Sequence, residues 1–185
     1  SYLDRATALT PRRIIDTCVS ASNAVIPVAL ACGVAGIIIG IITLTGVGLK
    51  FSTLVVMLSG GSLPLALVLT MITCLILGMG LPTAAAYLLV ATLVAPALVN
   101  LGVSLLAAHL FVLYSAMLSS ITPPVALAAY AAASISNGNP LKIAVLACKF
   151  GMAAFAVPYF FVYDPAILGI EVTWFQMAIS FVSAI

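Results

Sequence analysis

No Asp, Glu, Lys or Arg appears between Phe51 and Leu141, and the 185 residues hold only six Lys or Arg, four Asp or Glu and one His. That scarcity excludes several kinds of chemistry. A net charge of +2 is too small to hold a phosphate backbone, so nucleic acid is not an expected partner. An enzyme would need paired carboxylates, or a nucleophile with a base, and the uncharged stretch supplies no acid at all. Cysteine is sparse as well. Cys18, Cys32, Cys74 and Cys148 lie far apart with no CxxC or Cys/His pair, which argues against a disulfide or zinc framework. For the three in apolar runs, the simpler reading is small buried hydrophobes.

What is abundant is apolar surface. Hydrophobic residues make up 65% of the chain and charged ones 5%, with a mean hydropathy of +1.37, the profile of an integral membrane protein. A helical span takes roughly 20 apolar residues, so the length admits about five or six crossings or partial crossings. The sequence runs from Ser1 to Ile185, its last residues apolar, and reads as a piece of a larger polytopic protein. No basic segment with a short apolar core opens it, which argues against a signal peptide.

Residues 1–23, with Asp4, Arg5, Arg12, Arg13 and Asp16, read as a juxtamembrane segment, and residues 24–185 as the membrane domain. Ala24 to Leu44 is the first full-length apolar run. Within it Gly36 and Gly40 form a GxxxG pair that would let another helix approach closely. Thr45 to Lys50 marks an interface where Lys50 can snorkel. Thr53 to Leu58 is too short to cross, Ser59 to Pro64 is a turn cluster, and Leu65 to Leu77 is a little over half a membrane thickness. This stretch fits either a short re-entrant or interfacial piece leading into a helix, or one long kinked helix.

Gly78-Met79-Gly80-Leu81-Pro82-Thr83 then interrupts a membrane-length run that continues from Ala84 to Leu101, with Pro96 as a kink. Gly102-Val103-Ser104 offers a turn. Ala107 to Ile121 would be about 22 Å long as helix and Val125 to Ile135 about 16 Å, against a hydrocarbon core of about 30 Å. With Thr122-Pro123-Pro124 between these arms, the pattern predicts a helical hairpin tipped near mid-membrane. Leu141 to Val162 reads as a full span ended by Asp164-Pro165, and Val172 opens another. The expected fold is thus an all-α integral membrane protein with a broken helix and a re-entrant helical hairpin. Arg5, Arg12 and Arg13 favour a cytoplasmic start, and Lys142 and Lys149 a hairpin that opens toward the same side.

Broken backbone inside a bilayer must be surrounded by protein or water, because an unpaired peptide group in hydrocarbon costs several kcal/mol. Pro82 has no amide hydrogen to give the Gly78 carbonyl, and Pro123 and Pro124 likewise deprive Ser119 and Ser120 wherever a helix would continue. Such carbonyls, with the hydroxyls of Thr83, Ser119, Ser120 and Thr122, are neutral oxygen ligands suited to a hard monovalent cation such as Na⁺. Gly78, Thr83, Ser119 and Thr122 are the candidate ligands. Gly80, Pro82, Pro123 and Pro124 complete the two breaks. Helices starting near Thr83 and Val125 would aim positive dipole ends inward, which suits an anionic substrate. Pairing helix ends in this way is a recurring device of secondary transporters.

Simpler and rival readings exist. The prolines could merely kink two ordinary membrane helices. A channel filter also exposes carbonyls on re-entrant loops, but it repeats one loop around an axis, whereas here two different breaks share one chain. An intramembrane hydrolase could pair Ser115 with His109 on paper, yet no Gly-x-Ser-x-Gly elbow or HExxH motif accompanies them. His109 is expected instead to cap or anchor the start of the hairpin arm near the interface. No cofactor is expected.

Three segments carry a family resemblance: Gly78 to Tyr87 (GMGLPTAAAY), Ala107 to Val112 (AAHLFV) and Ser120 to Tyr130 (SITPPVALAAY). They resemble the large membrane subunit of tripartite ATP-independent periplasmic (TRAP) transporters, most of all the fused permease of the TAXI branch. Likeness extends upstream through Ala35 to Ile38 and Thr45 to Lys50, and downstream through Val157 to Tyr163. The resemblance implies the second inverted repeat of an elevator-type importer of small organic acids in a bacterial or archaeal cytoplasmic membrane. It implies a periplasmic substrate-binding protein, small-subunit helices and the other half of the permease as partners. It also implies that the Thr122-Pro123-Pro124 loop is the second hairpin tip and Gly78 to Thr83 the broken helix facing it, together forming a Na⁺ site and part of the substrate cavity. Some members of that branch couple to H⁺, but the lack of an acid near either break points to Na⁺.

Overall fold

The structure is a computed structural model that describes residues 10–168, and these form eight α-helices and a closing 3-10 turn, with no strand among the described residues. The all-α membrane class read from composition holds. The span expected from Val172, and the charges at Asp4 and Arg5, lie outside the described residues.

Helix α1 (Pro11–Thr45) starts where the Thr10 side chain accepts a hydrogen bond from the Arg13 amide at 3.4 Å. Pro11 sits in the first turn, where its missing amide hydrogen costs nothing. The polar segment and the first apolar run are therefore one continuous helix. At Gly46 the chain bends by 78° into α2 (Val47–Leu58). After four intervening residues begins α3 (Leu63–Gly78), followed by α4 (Thr83–Asn100), so α2 and α3 are separate helices rather than one kinked one. Helix α5 (Leu105–Leu118) is capped by the Ser104 hydroxyl, which accepts from the Ala107 amide at 3.3 Å. The last three are α6 (Leu127–Ser136), α7 (Pro140–Phe150) and α8 (Met152–Tyr163). The stretch read as one span from Leu141 is thus a pair bent by 48° at Gly151, and it ends at Asp164 as expected. Helix α4 alone is long and apolar enough to cross a bilayer unaided among the described residues.

The GxxxG pair is not used within the described residues: nothing lies within 4 Å of where a Cβ would stand at Gly36 or Gly40. The close approach comes at Gly48, where a Cβ would lie 3.3 Å from the Thr92 carbonyl as α2 packs on α4.

Helices α3 and α4 pack along each other in antiparallel order. Near their far ends Leu67 and Met71 share one apolar cluster with Leu98; nearer the connection Cys74 shares another with Val90 and Val94. Only Met79 to Pro82 separate the two helices. This is a helical hairpin, and its tip is the Gly78 break. Helix α5 packs on both arms and on α8, with Phe111 edge-on to Tyr159 at 5.3 Å between ring centroids.

The hairpin expected over residues 107–135 is corrected by this arrangement. Helices α5 and α6 share no extended packed face; α6 lies against α7, and its buried Ala129 packs with Ala144. The reason is geometric. The buried side of α5 is already filled by α3, α4 and α8, and Ser119 to Ala126 is long enough to carry α6 away. The sequence pattern names both a hairpin and a broken helix, and the structure exchanges their positions.

Candidate functional site

The first break is a tight reversal. Helix α3 ends at buried Gly78, Gly80 takes a left-handed conformation with φ of 78°, and the Leu81 amide donates to the Gly78 carbonyl at 3.2 Å. Left-handed backbone is strained for residues with a Cβ, so Gly80 suits the turn. Pro82 stands at the N-cap of α4, and no side chain caps that helix. The Pro82 carbonyl accepts from the Ala86 amide at 3.0 Å. The first-turn amides of Thr83, Ala84 and Ala85 lack intrahelical acceptors by construction, which leaves positive backbone dipole at the tip.

The second break unwinds more gradually. The amides of Ser120, Ile121 and Thr122 bond to the carbonyls of Met117, Leu118 and Ser119 at 3.1–3.2 Å, tightening the end of α5. The Ala128 amide then reaches back over the loop to the Ser120 carbonyl at 3.0 Å. Three hydroxyls donate into the same helix end: Ser119 to Ala116, Ser120 to Met117 and Thr122 to Leu118, each at 2.7 Å. Their protons are committed to the backbone, so what remains on each oxygen is acceptor capacity. The Pro123–Pro124 bond is cis.

The carbonyls expected to be free are therefore not the ones that are. Gly78, Ser119 and Ser120 each receive an amide, from Leu81, Thr122 and Ala128. Proline removed the helical donor, and the turn supplied another. Among the described residues, no hydrogen bond reaches the carbonyls of Gly80 and Leu81 in the first break, or of Thr122, Pro123 and Pro124 in the second. The neutral oxygen acceptors lie within the loops.

The two breaks meet. A Cβ placed on Gly78 would stand 2.6 Å from the Ser119 hydroxyl oxygen and 3.0 Å from its Cβ, and one on Gly80 would stand 3.3 Å from Val125 Cγ1. One turn below the first contact, Cys74 on α3 lies beside Ser115 on α5, so the same offset in sequence repeats along a parallel pair of helices. Of the expected site residues, Gly78 and Ser119 are buried and in contact, and Gly80 touches the second break through Val125. Pro82, Thr83, Ser120, Thr122 and Pro123 are half-buried and Pro124 is exposed. No hydrogen bond among the described residues joins one break directly to the other.

Some participants left no recognisable signal in sequence. Ile121 is held from the far side: its carbonyl accepts from the Cys148 thiol at 3.3 Å, and its Cδ1 is 3.0 Å from where a Gly151 Cβ would stand. The bend between α7 and α8 thus supports the second break. His109 also changes place in the account. Ser104 caps α5, while His109 Nδ1 is 2.9 Å from the Tyr87 hydroxyl. No Ser/His dyad forms, because Ser115 donates to the Phe111 carbonyl at 2.7 Å.

Comparison with known proteins supplies the family. No curated relative and no solved structure matches the chain. A family model described as the DctM component of the tripartite ATP-independent periplasmic transporter matches residues 4–174. Members of this family are membrane components that work with a periplasmic binding protein and a small membrane subunit, and they are permeases, not enzymes. An all-α membrane chain whose two uncharged backbone breaks meet belongs, on that match, to the DctM family of TRAP secondary transporters.

Proposed function

We propose that this chain forms one cation-binding and substrate-binding half of a TAXI-type fused TRAP permease that imports small organic acids on a Na⁺ gradient. The observation that carries the reading is the contact of Gly78 with Ser119, which sets two loops of hydrogen-bond acceptors against each other. A desolvated Na⁺ seeks several neutral or anionic oxygens, and these loops offer carbonyls with no donor beside hydroxyls whose protons are already committed. The proposed ligand set is Thr83, Ser119 and Thr122 through their hydroxyl oxygens and Gly78 through the lone pair its carbonyl keeps beside the Leu81 amide, widened to the open carbonyls of Gly80 and Thr122. The uncapped amides at the start of α4 provide the complementary dipole for a substrate carboxylate.

On this reading the permease lies in the cytoplasmic membrane of a bacterium or archaeon, and the chain supplies the second inverted repeat. A periplasmic binding protein delivers the acid, and the other repeat completes the cavity. An elevator-like displacement then carries the loaded site across. No Asp or Glu lies in the sequence from Phe51 to Leu141 that holds both breaks, which favours Na⁺ as the coupling ion.

The test is uptake by the full-length permease and its own binding protein in proteoliposomes, comparing candidate carboxylates with and without an inward Na⁺ gradient. Accumulation that requires both the binding protein and the gradient supports the proposal. Uptake that follows a proton gradient and ignores Na⁺ would overturn the ion assignment.

A further inference from the structure

We infer that Tyr87 and His109 act as a positioning strut, holding the hairpin tip in register with the broken helix and thereby setting the affinity of the site for its cation. The inference rests on the cation-binding reading above. The Tyr87 hydroxyl lies 2.9 Å from His109 Nδ1, and the rings meet edge-on with centroids 6.1 Å apart. Most other side-chain hydrogen bonds from α2 to α8 end on a backbone atom or cap a nearby amide; this one ties the side chains of α4 and α5, while Cys74 and Ser115 pair α3 with α5.

Its placement gives the bond its consequence. Tyr87 stands one turn into α4 beyond Thr83, about 6 Å from the tip along the axis. His109 belongs to α5, which carries Ser119 at its end. The strut therefore joins the two helices whose ends form the two breaks. Those breaks share no direct hydrogen bond, and van der Waals contact at Gly78 and Gly80 fixes distance more firmly than sliding.

Both residues are half-buried and line a cavity of about 500 Å³ whose other walls include Leu88, Ala91, Pro96 and Leu105. In such surroundings a phenol or imidazole nitrogen left without a partner is costly, so the bond is kept rather than exchanged with solvent. The Tyr87 hydroxyl can donate to Nδ1 or accept from it, according to the tautomer of the ring.

The experiment measures Na⁺ activation of substrate uptake by the full-length permease with its binding protein. Tyr87→Phe, which keeps the ring, and His109→Leu should each raise the half-activating Na⁺ concentration roughly threefold to tenfold, the loss of one hydrogen bond. Maximal uptake at saturating Na⁺ should stay near wild type. The double variant should be no worse than either single one, because both remove the same bond. His109→Asn, whose side-chain amide can donate or accept in place of Nδ1, should recover most of the affinity. An unmoved half-activation point in both single variants, additive losses in the double variant, or His109→Asn behaving like His109→Leu would overturn the strut. If wild-type uptake itself ignores Na⁺, the cation reading falls instead.

Discussion

At the Gly78 break the chain reverses within four residues and its two helices lie along each other; at the Thr122 break the chain loosens over eight residues and its two helices go to different neighbours. Both breaks contain proline beside threonine, and both leave loop carbonyls without donors. Yet the prolines do different work. Pro82 is the N-cap of α4, just outside the helix, where its missing amide removes no intrahelical hydrogen bond. Pro123 and Pro124 follow the tightened end of α5, where they withhold two amides and bar that helix from running on. The contrast teaches that a proline in an apolar run is informative only with its packing known: one marks the start of a hairpin arm, the other interrupts a helix.

The largest effect that would break this comparison is expected at the point of contact. Gly78→Val should lower uptake by at least about tenfold in properly inserted protein, because overpacking a close contact costs roughly 1–3 kcal/mol and Ser119 occupies the space. Adding Ser119→Gly should restore part of it. A Gly78→Val permease with wild-type uptake would show that the breaks do not meet.

Next comes the distinction between the prolines. Replacing Pro123 and Pro124 together with alanine returns two amides to the end of α5 and lets that helix extend, with an expected fall in uptake of about fivefold to tenfold. Pro82→Ala should change uptake by no more than about twofold, since at a compatible position proline contributes about 0.4–1 kcal/mol through chain entropy. Equal losses would erase the difference drawn above. A smaller change is expected from Thr122→Ala, which removes one neutral oxygen and should raise the half-activating Na⁺ concentration about threefold. An unchanged Na⁺ activation curve would remove Thr122 from the ligand set. The smallest effect belongs to Cys148→Ala, which deletes a weak thiol donor to Ile121. It should lower thermal stability by less than about 1 kcal/mol and leave Na⁺ activation unmoved; a shifted activation curve would make α7 part of the site.

Much of the architecture was legible because membrane burial simplifies the code. The turn read over Ser59 to Pro64 reappears as Ser59 to Ser62, and the stops near Leu44 and at Asp164 reappear as helix ends; the start at Ala24 and the unbroken span from Leu141 do not. Gly78, Gly80 and Ser119 were likewise visible as members of two interrupted segments. The Cys148 and Gly151 support for Ile121 was not visible, since a small residue in an apolar helix looks the same whether it faces lipid or a loop. Nor was the Tyr87 bond to His109, which joins residues 22 apart across two helices.

Taken alone, the sequence determined that this is an apolar helical membrane protein with two uncharged interruptions, because helix length, proline and glycine act locally and a bilayer penalises every unpaired peptide group. Only the tertiary structure decided which interruption tips a hairpin, which carbonyls stay open and that Gly78 meets Ser119. Those outcomes depend on which helix faces are already filled by neighbours, a property of packing that no single segment carries within itself.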